Sequence, residues 1–308
     1  MGGSFSFSVL PDDPLKWEEG QQADQEKTFL GAWSKRDLMR LWERYLLPSL
    51  SPPFDRDKFV FEINADDPFV HEVSISHEAL ADMPPAGRFL VKLFARRKKF
   101  DWHELAVLQS THRCAAFDAW LLPGWDLRAP FEGFSLEREL QTTVLEFLFL
   151  QNPLGQFTEK RKQLPGQSYP GLGIGREMLS LISEAAVSKS RDFISQTPNY
   201  VHNALIYQRA GMRFLSPHCQ AWFECLAEDL ASELAQDFAR VAHAVHEGKL
   251  LCGGVVVLWP LWEQALPVST IAKSFMAAHA THVERIKKEW DEAKKRPVFA
   301  IDRAKENE

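Results

Sequence analysis

Seven consecutive residues, Val144-Leu145-Glu146-Phe147-Leu148-Phe149-Leu150, are apolar but for Glu146, and Asn152-Pro153 ends the run. A run of this length and continuity suits a strand covered on both faces, as in a parallel or mixed sheet. The surroundings supply partners for it. Lys58–Ile63, Phe69–Ile75 and Phe89–Phe94 read as strands separated by Asp66–Pro68 and Pro84-Pro85-Ala86-Gly87. Downstream, Met178, Leu179, Leu181, Ile182, Ala185 and Ala186 share one helical face, Asp192–Ser195 reads as a strand, 199–210 as a helix and Met212–Leu215 as a strand. This alternation predicts an α/β (α+β) domain, a mixed central sheet flanked by helices.

Flanking segments extend that core. Residues 1–30 are polar and are expected to form a flexible terminus that packs only locally. Ser34 can cap a helix carrying Leu38, Leu41, Trp42, Tyr45 and Leu46, and residues 102–122 have a helical pattern. Past Pro217, Trp222, Leu226, Leu230, Leu234, Phe238, Val241 and Val245 form one long stripe that Gly248 can end. The apolar run Gly253–Trp259 is expected to return a strand to the sheet, Ser269 to cap a last helix to about Lys295, and the residues after Pro297 to form a solvated tail. The organisation expected is therefore 1–30 flexible, 31–215 α/β core and 216–308 a mainly helical extension.

Composition removes several classes. The longest nearly apolar run, Leu250–Trp262, has 13 residues and is broken by Gly253, Gly254 and Pro260, short of the ~18 that a membrane span requires. With 36 Lys and Arg against 42 Asp and Glu, the net charge is −6. The basic clusters Arg96–Lys99 and Lys160–Lys162 are short and separate, so nucleic acid is not an expected partner. Four cysteines and no apolar leader near Met1 point to a reduced, cytoplasmic chain. Met1-Gly2-Gly3-Ser4-Phe5-Ser6 formally fits a myristoylation pattern, but no polybasic stretch follows as a second anchor.

The feature richest in chemistry is Pro170-Gly171-Leu172-Gly173-Ile174-Gly175, which opens a helix. Glycines there let the backbone approach a phosphate, and the free N–H groups and dipole of the helix favour an anion. The Walker pattern fails, since Leu172-Gly173 stands where Lys and Ser/Thr are needed. The dinucleotide fingerprint fails too, because Arg176 occupies its third glycine position. A second feature stands 34 residues after Gly173, where Tyr207-Gln208-Arg209-Ala210-Gly211-Met212 closes a helix.

Taken in order, the glycine turn, the amphipathic helix, the short strand and the Tyr-x-x-x-Gly-Met ending resemble the GNAT N-acetyltransferase superfamily over about residues 143–215. The resemblance implies acetyl-CoA or another acyl-CoA as co-substrate. Its pyrophosphate would lie on Gly171, Leu172, Gly173, Ile174, Gly175 and Arg176, and its pantetheine along a splayed strand at Leu148, Phe149 and Leu150. Tyr207 would protonate the leaving thiolate. The chain departs from the pattern at Pro170, where Gln or Arg is usual, and in the long polar insertion from Gln151 to Tyr169.

Other residues bear on the same chemistry. Glu146 on the strand and His202 beside the tyrosine helix are each candidates to take a proton from an amine, directly or through water. The acceptor expected is a small-molecule or peptide amine. Metal binding competes: His243 and His246 share a helix face, as do His279 and His282, and Cys219, Cys225 and Cys252 lie in the same third of the chain. No Cys-x-x-Cys, His-Glu-x-x-His or Gly-x-Ser-x-Gly occurs, and no metal is expected. A non-catalytic acyl-CoA or nucleotide sensor and an oligomeric scaffold are the alternative readings. The apolar stripes of the C-terminal helices are expected to pack first on the core and then to form a symmetric homodimer.

Overall fold

The computed structural model describes residues 28–31, 33–45, 54–66, 70–99 and 138–302. The helix expected over 102–122 and residues 1–27 lie outside them. Period-two patterning builds one side of the sheet: β1 (Phe59–Asn64), β2 (Val70–His77), β3 (Phe89–Lys99) and β4 (Gln141–Leu150) pair antiparallel in succession. Val73 and Ile75 of β2, and Val91 and Leu93 of β3, turn to one buried face. Against that face pack α1 (Lys35–Tyr45) and α2 (Gly175–Ser188), through Trp42, Leu179 and Ile182. Ser34 caps α1: its Oγ accepts the Asp37 N–H at 3.2 Å, and the Asp37 carboxylate accepts the Ser34 N–H at 3.0 Å.

The second half is built differently. After α2 the chain enters β5 (Phe193–Gln196), which runs parallel to β4, as a helical crossover between strands requires. Next come α3 (Val201–Arg209), β6 (Arg213–Phe214), α4 (Pro217–Asp229), α5 (Ala231–Gln236), α6 (Phe238–His246), β7 (Leu250–Cys252), β8 (Val255–Val256), β9 (Gln264–Pro267), α7 (Thr270–Glu292) and β10 (Phe299–Ile301). The seven-stranded sheet has the order β1-β2-β3-β4-β5-β9-β6, with β4–β5 its one parallel pair. A smaller sheet, β10-β7-β8, lies beside α4 and α6.

Four expectations are corrected. The long stripe from Trp222 to Val245 is divided among three helices; Leu230 and Asp237 leave helical geometry, and Asp237 accepts the Arg240 N–H to start α6. The strand that returns to the main sheet is β9 rather than Gly253–Trp259, because Gly253 and Gly254 turn β7 back on β8 instead. Residues 298–302 are no solvated tail: β10 pairs with β7 and buries Phe299 and Ile301. Phe29 and Leu30 are buried against the core rather than packed locally, and the Leu30 N–H donates to His71 Nδ1 at 3.0 Å.

Asp192 fixes the junction of the halves. Its fully buried carboxylate accepts two bonds from Arg138, one from Ser269 Oγ at 2.6 Å and one from the Gln141 N–H at 2.8 Å. Burial works to raise this carboxyl, but the hydrogen bonds outweigh it and hold the group below its ordinary value. The start of β4, the start of β5 and the cap of α7 are thus tied to one side chain. No described helix is long and apolar enough to cross a membrane.

Candidate functional site

The parallel pair is short, and its shortness makes the site. β4 and β5 are in register only over Thr142–Val144 against Phe193–Ser195, while β4 runs on to Leu150. Beyond Val144 the two strands part. A bulge in the ladder with β3 marks the place: Phe94 faces Phe147 and Ala95 faces Leu145, which leaves Glu146 without an opposite residue. The Leu150 carbonyl points to the β5 side, where it accepts the Leu172 N–H at 3.1 Å, whereas the Gln151 N–H points to Leu90 on β3. Alternation turns the main chain of Leu148 to the same side as Leu150, into the gap left by β5. Among the described residues no strand therefore pairs with this edge between Val144 and Leu150, and a gap opens beside Leu148.

At the far end of the cleft lies the glycine turn. After β4 the chain loops out through 151–170 and returns so that Gly171 bridges to Gln151. Gly173 has φ +81°, the left-handed region that favours glycine, and α2 begins two residues on. Ile174 is its N-cap and no side chain caps the helix, so the N–H groups of its first turn are left to solvent or a ligand. Glu177 in that turn favours the dipole but makes no cap bond. Arg161 comes back over the turn, its guanidinium nitrogen 3.4 Å from where a Gly173 side chain would begin. A left-handed glycine, an uncapped helix start and a guanidinium thus meet at one place, a chemistry suited to a phosphate.

The loop that carries Arg161 is held at several points. Thr158 and Arg161 close a tight turn through reciprocal backbone bonds of 3.1 and 2.9 Å. Lys162 pairs with Asp237 at 2.6 Å, and the Gln163 carbonyl lies 3.1 Å from His243 Nε2. Gly166 has φ +76° and lies so close to the Tyr200 ring that no side chain fits there. The insertion is therefore pinned between the glycine turn and α6.

The residues expected in catalysis fall in three places. Tyr207 is half-buried on α3 and packs against the cluster that holds Leu145, Ile194 and Met212, where β4 and β5 part. Burial raises its phenol above the ordinary value, so it stays protonated. The Gly211-Met212 ending also has a local reason: Gly211 is left-handed, and the Met212 N–H donates to the Tyr207 carbonyl at 3.0 Å, capping α3. Glu146 sits at the bulge, exposed and ion-paired with Arg96 at 2.7 Å. His202 is buried at the start of α3 and stacks on Tyr200 with ring centroids 5.3 Å apart. Burial, then the neighbouring His243 and His246, push it down to about 4, and its Nδ1 has no partner. Of the three, Tyr207 packs on the cluster that β4 and β5 share, Glu146 pairs across the β3 ladder and His202 stacks on Tyr200.

Leu148, Phe149 and Leu150 are each half-buried on the splayed part of β4, and Arg176 is exposed at the helix start. Among the described residues no group of three or more His, Cys, Asp and Glu side chains is placed to hold a metal ion. Cys219, Cys225 and Cys252 are buried and form no disulfide, and burial lifts the Cys225 thiol to about 11, as befits core residues. Arg161 was visible in sequence only as part of a basic cluster; its link to the turn depends on how the insertion folds back. No protein-family model matches this sequence, and a search of curated proteins returns no significant match.

Proposed function

We propose that this protein is a GNAT-type acyltransferase, moving an acyl group from acyl-CoA to a primary amine. The observation that carries the reading is the cleft between β4 and β5, with an open strand edge along one wall and the Gly173 turn, uncapped α2 and Arg161 at its end. The pantetheine amides hydrogen-bond along the Leu148–Leu150 edge, and the pyrophosphate rests on the turn and Arg161. The amine attacks the thioester carbonyl carbon, and the carbon–sulfur bond then breaks. Tyr207, neutral and positioned where the strands part, gives its proton to the departing thiolate; the proton lost by the amine goes to water. Glu146, held by Arg96, serves the bulge rather than this proton transfer.

The test is a thermal-shift panel of acetyl-CoA, longer acyl-CoAs, free CoA and NAD. Acyl-CoAs and CoA at about 100 times Kd stabilise the fold by about 2.7 kcal/mol, and NAD does not. No shift with any CoA, or an equal shift with NAD, overturns the reading. A sensor would bind acyl-CoA without turnover, so release of free thiol in the presence of amines separates it from the enzyme.

A further inference from the structure

A second cavity, of about 220 Å³, lies past the carboxyl end of β5, between the start of α3 and α6. Its walls include Asn199, Tyr200, Val245, His246, Leu258 and Trp259. We infer that it receives the adenine base of the acyl-CoA, an inference that rests on the acyl-CoA reading above.

The lining selects the chemistry. Among the described residues no Lys, Arg, Asp or Glu borders the cavity, which disfavours a charged group inside it. Three aromatic rings, Tyr200, His246 and Trp259, offer faces and edges to a flat group. The Asn199 carboxamide carries both a donor and acceptors, the complement of an amino-purine edge. The volume suits one heterocycle rather than a larger ligand.

The walls are also held in place. Tyr200 is backed by His202, the planes 17° apart, and His246 meets it edge-on at 5.3 Å. Trp259 Nε1 donates to the Pro198 carbonyl at 2.9 Å. An unpartnered Nδ1 on a buried, neutral His202 is tolerated behind this wall, where its ring serves as a stacking plate.

Position ties the cavity to the phosphate turn. Both lie beyond the carboxyl ends of the one parallel pair, the place where open sheets collect ligands. The insertion joins them directly, with Arg161 at Gly173 and Gly166 under Tyr200. Gly166 follows Arg161 by five residues, so their Cα atoms are at most about 18 Å apart. One extended CoA molecule can touch both.

The test is calorimetric titration of the whole protein with CoA, 4′-phosphopantetheine and AMP, repeated on Trp259→Ala and Asn199→Ala. Asn199 is exposed, so its substitution leaves folding intact even where removal of Trp259 does not. The inference predicts that CoA binds more tightly than phosphopantetheine. Each substitution weakens CoA about tenfold or more and leaves phosphopantetheine unchanged. CoA affinity unaffected by both substitutions, with CoA still bound, overturns the adenine pocket and leaves the acyltransferase reading standing. AMP bound more tightly than CoA makes a free nucleotide the ligand and overturns the assignment. Binding of neither CoA nor phosphopantetheine overturns both.

Discussion

Tyr207 packs the core, and the acid role proposed for it separates from that packing at one atom. Replacing it with Phe keeps the ring against the cluster of Leu145, Ile194 and Met212 and removes only the hydroxyl. The expected outcome for Tyr207→Phe is a melting temperature near wild type, unchanged acyl-CoA affinity and a fall in turnover of about 10²-fold or more. Wild-type turnover in a steady-state thiol-release assay would assign the acid to water or another group. Not all of this was readable beforehand. The tyrosine and its glycine ending could be found by spacing, whereas the ion pair of Glu146 with Arg96 and the stacking of His202 on Tyr200 arise only when distant strands and helices meet.

At the scale of elements, the insertion 151–170 matters most. In sequence it is a polar stretch that merely lengthens the path from strand to turn. Folded, it presents Arg161 to Gly173 and supplies a cation at the turn, where Pro170 offers no charge. Arg161→Ala therefore weakens CoA by about tenfold, consistent with the loss of one charge-assisted contact to phosphate, while phosphate-free pantetheine is bound as before. Equal weakening of both, by competition binding, would show that Arg161 shapes the loop rather than the anion site. The elements best read in advance were those with strong periods, β1 to β4 and α2. The Trp222–Val245 stripe was misread because helical periodicity continues in phase across the breaks at Leu230 and Asp237. β9 and β10 are four and three residues long, too short to give a pattern.

For the whole molecule, the helices after Pro217 are bound into the sheet by β9, which lies between β5 and β6. The interior they share with α3 holds neutral histidines. Burial is the leading cause that pushes His202 and His279 down to about 4 and His218 to about 3. Above the ordinary value of about 6.5 these groups are neutral in both states and cost nothing. As pH falls below it, the unfolded chain binds protons that the folded chain does not, so stability is lost progressively from pH 6.5 to about 4. By pH 5 each histidine removes on the order of 2 kcal/mol. Urea midpoints at pH 7 and pH 5 check this, and equal midpoints would show that the histidines are not held neutral.

The central claim is that acyl-CoA lies in the β4–β5 cleft with its phosphates on the Gly173 turn. Gly173→Asp places a carboxylate where the anion would lie, facing Arg161, at a strain of about 1–2 kcal/mol for a left-handed non-glycine residue. Titration of acetyl-CoA into the wild type and into folded Gly173→Asp, side by side in a calorimeter, tests the claim most directly. The account predicts saturable binding to the wild type and none to the variant. Equal affinity in the two proteins would contradict it.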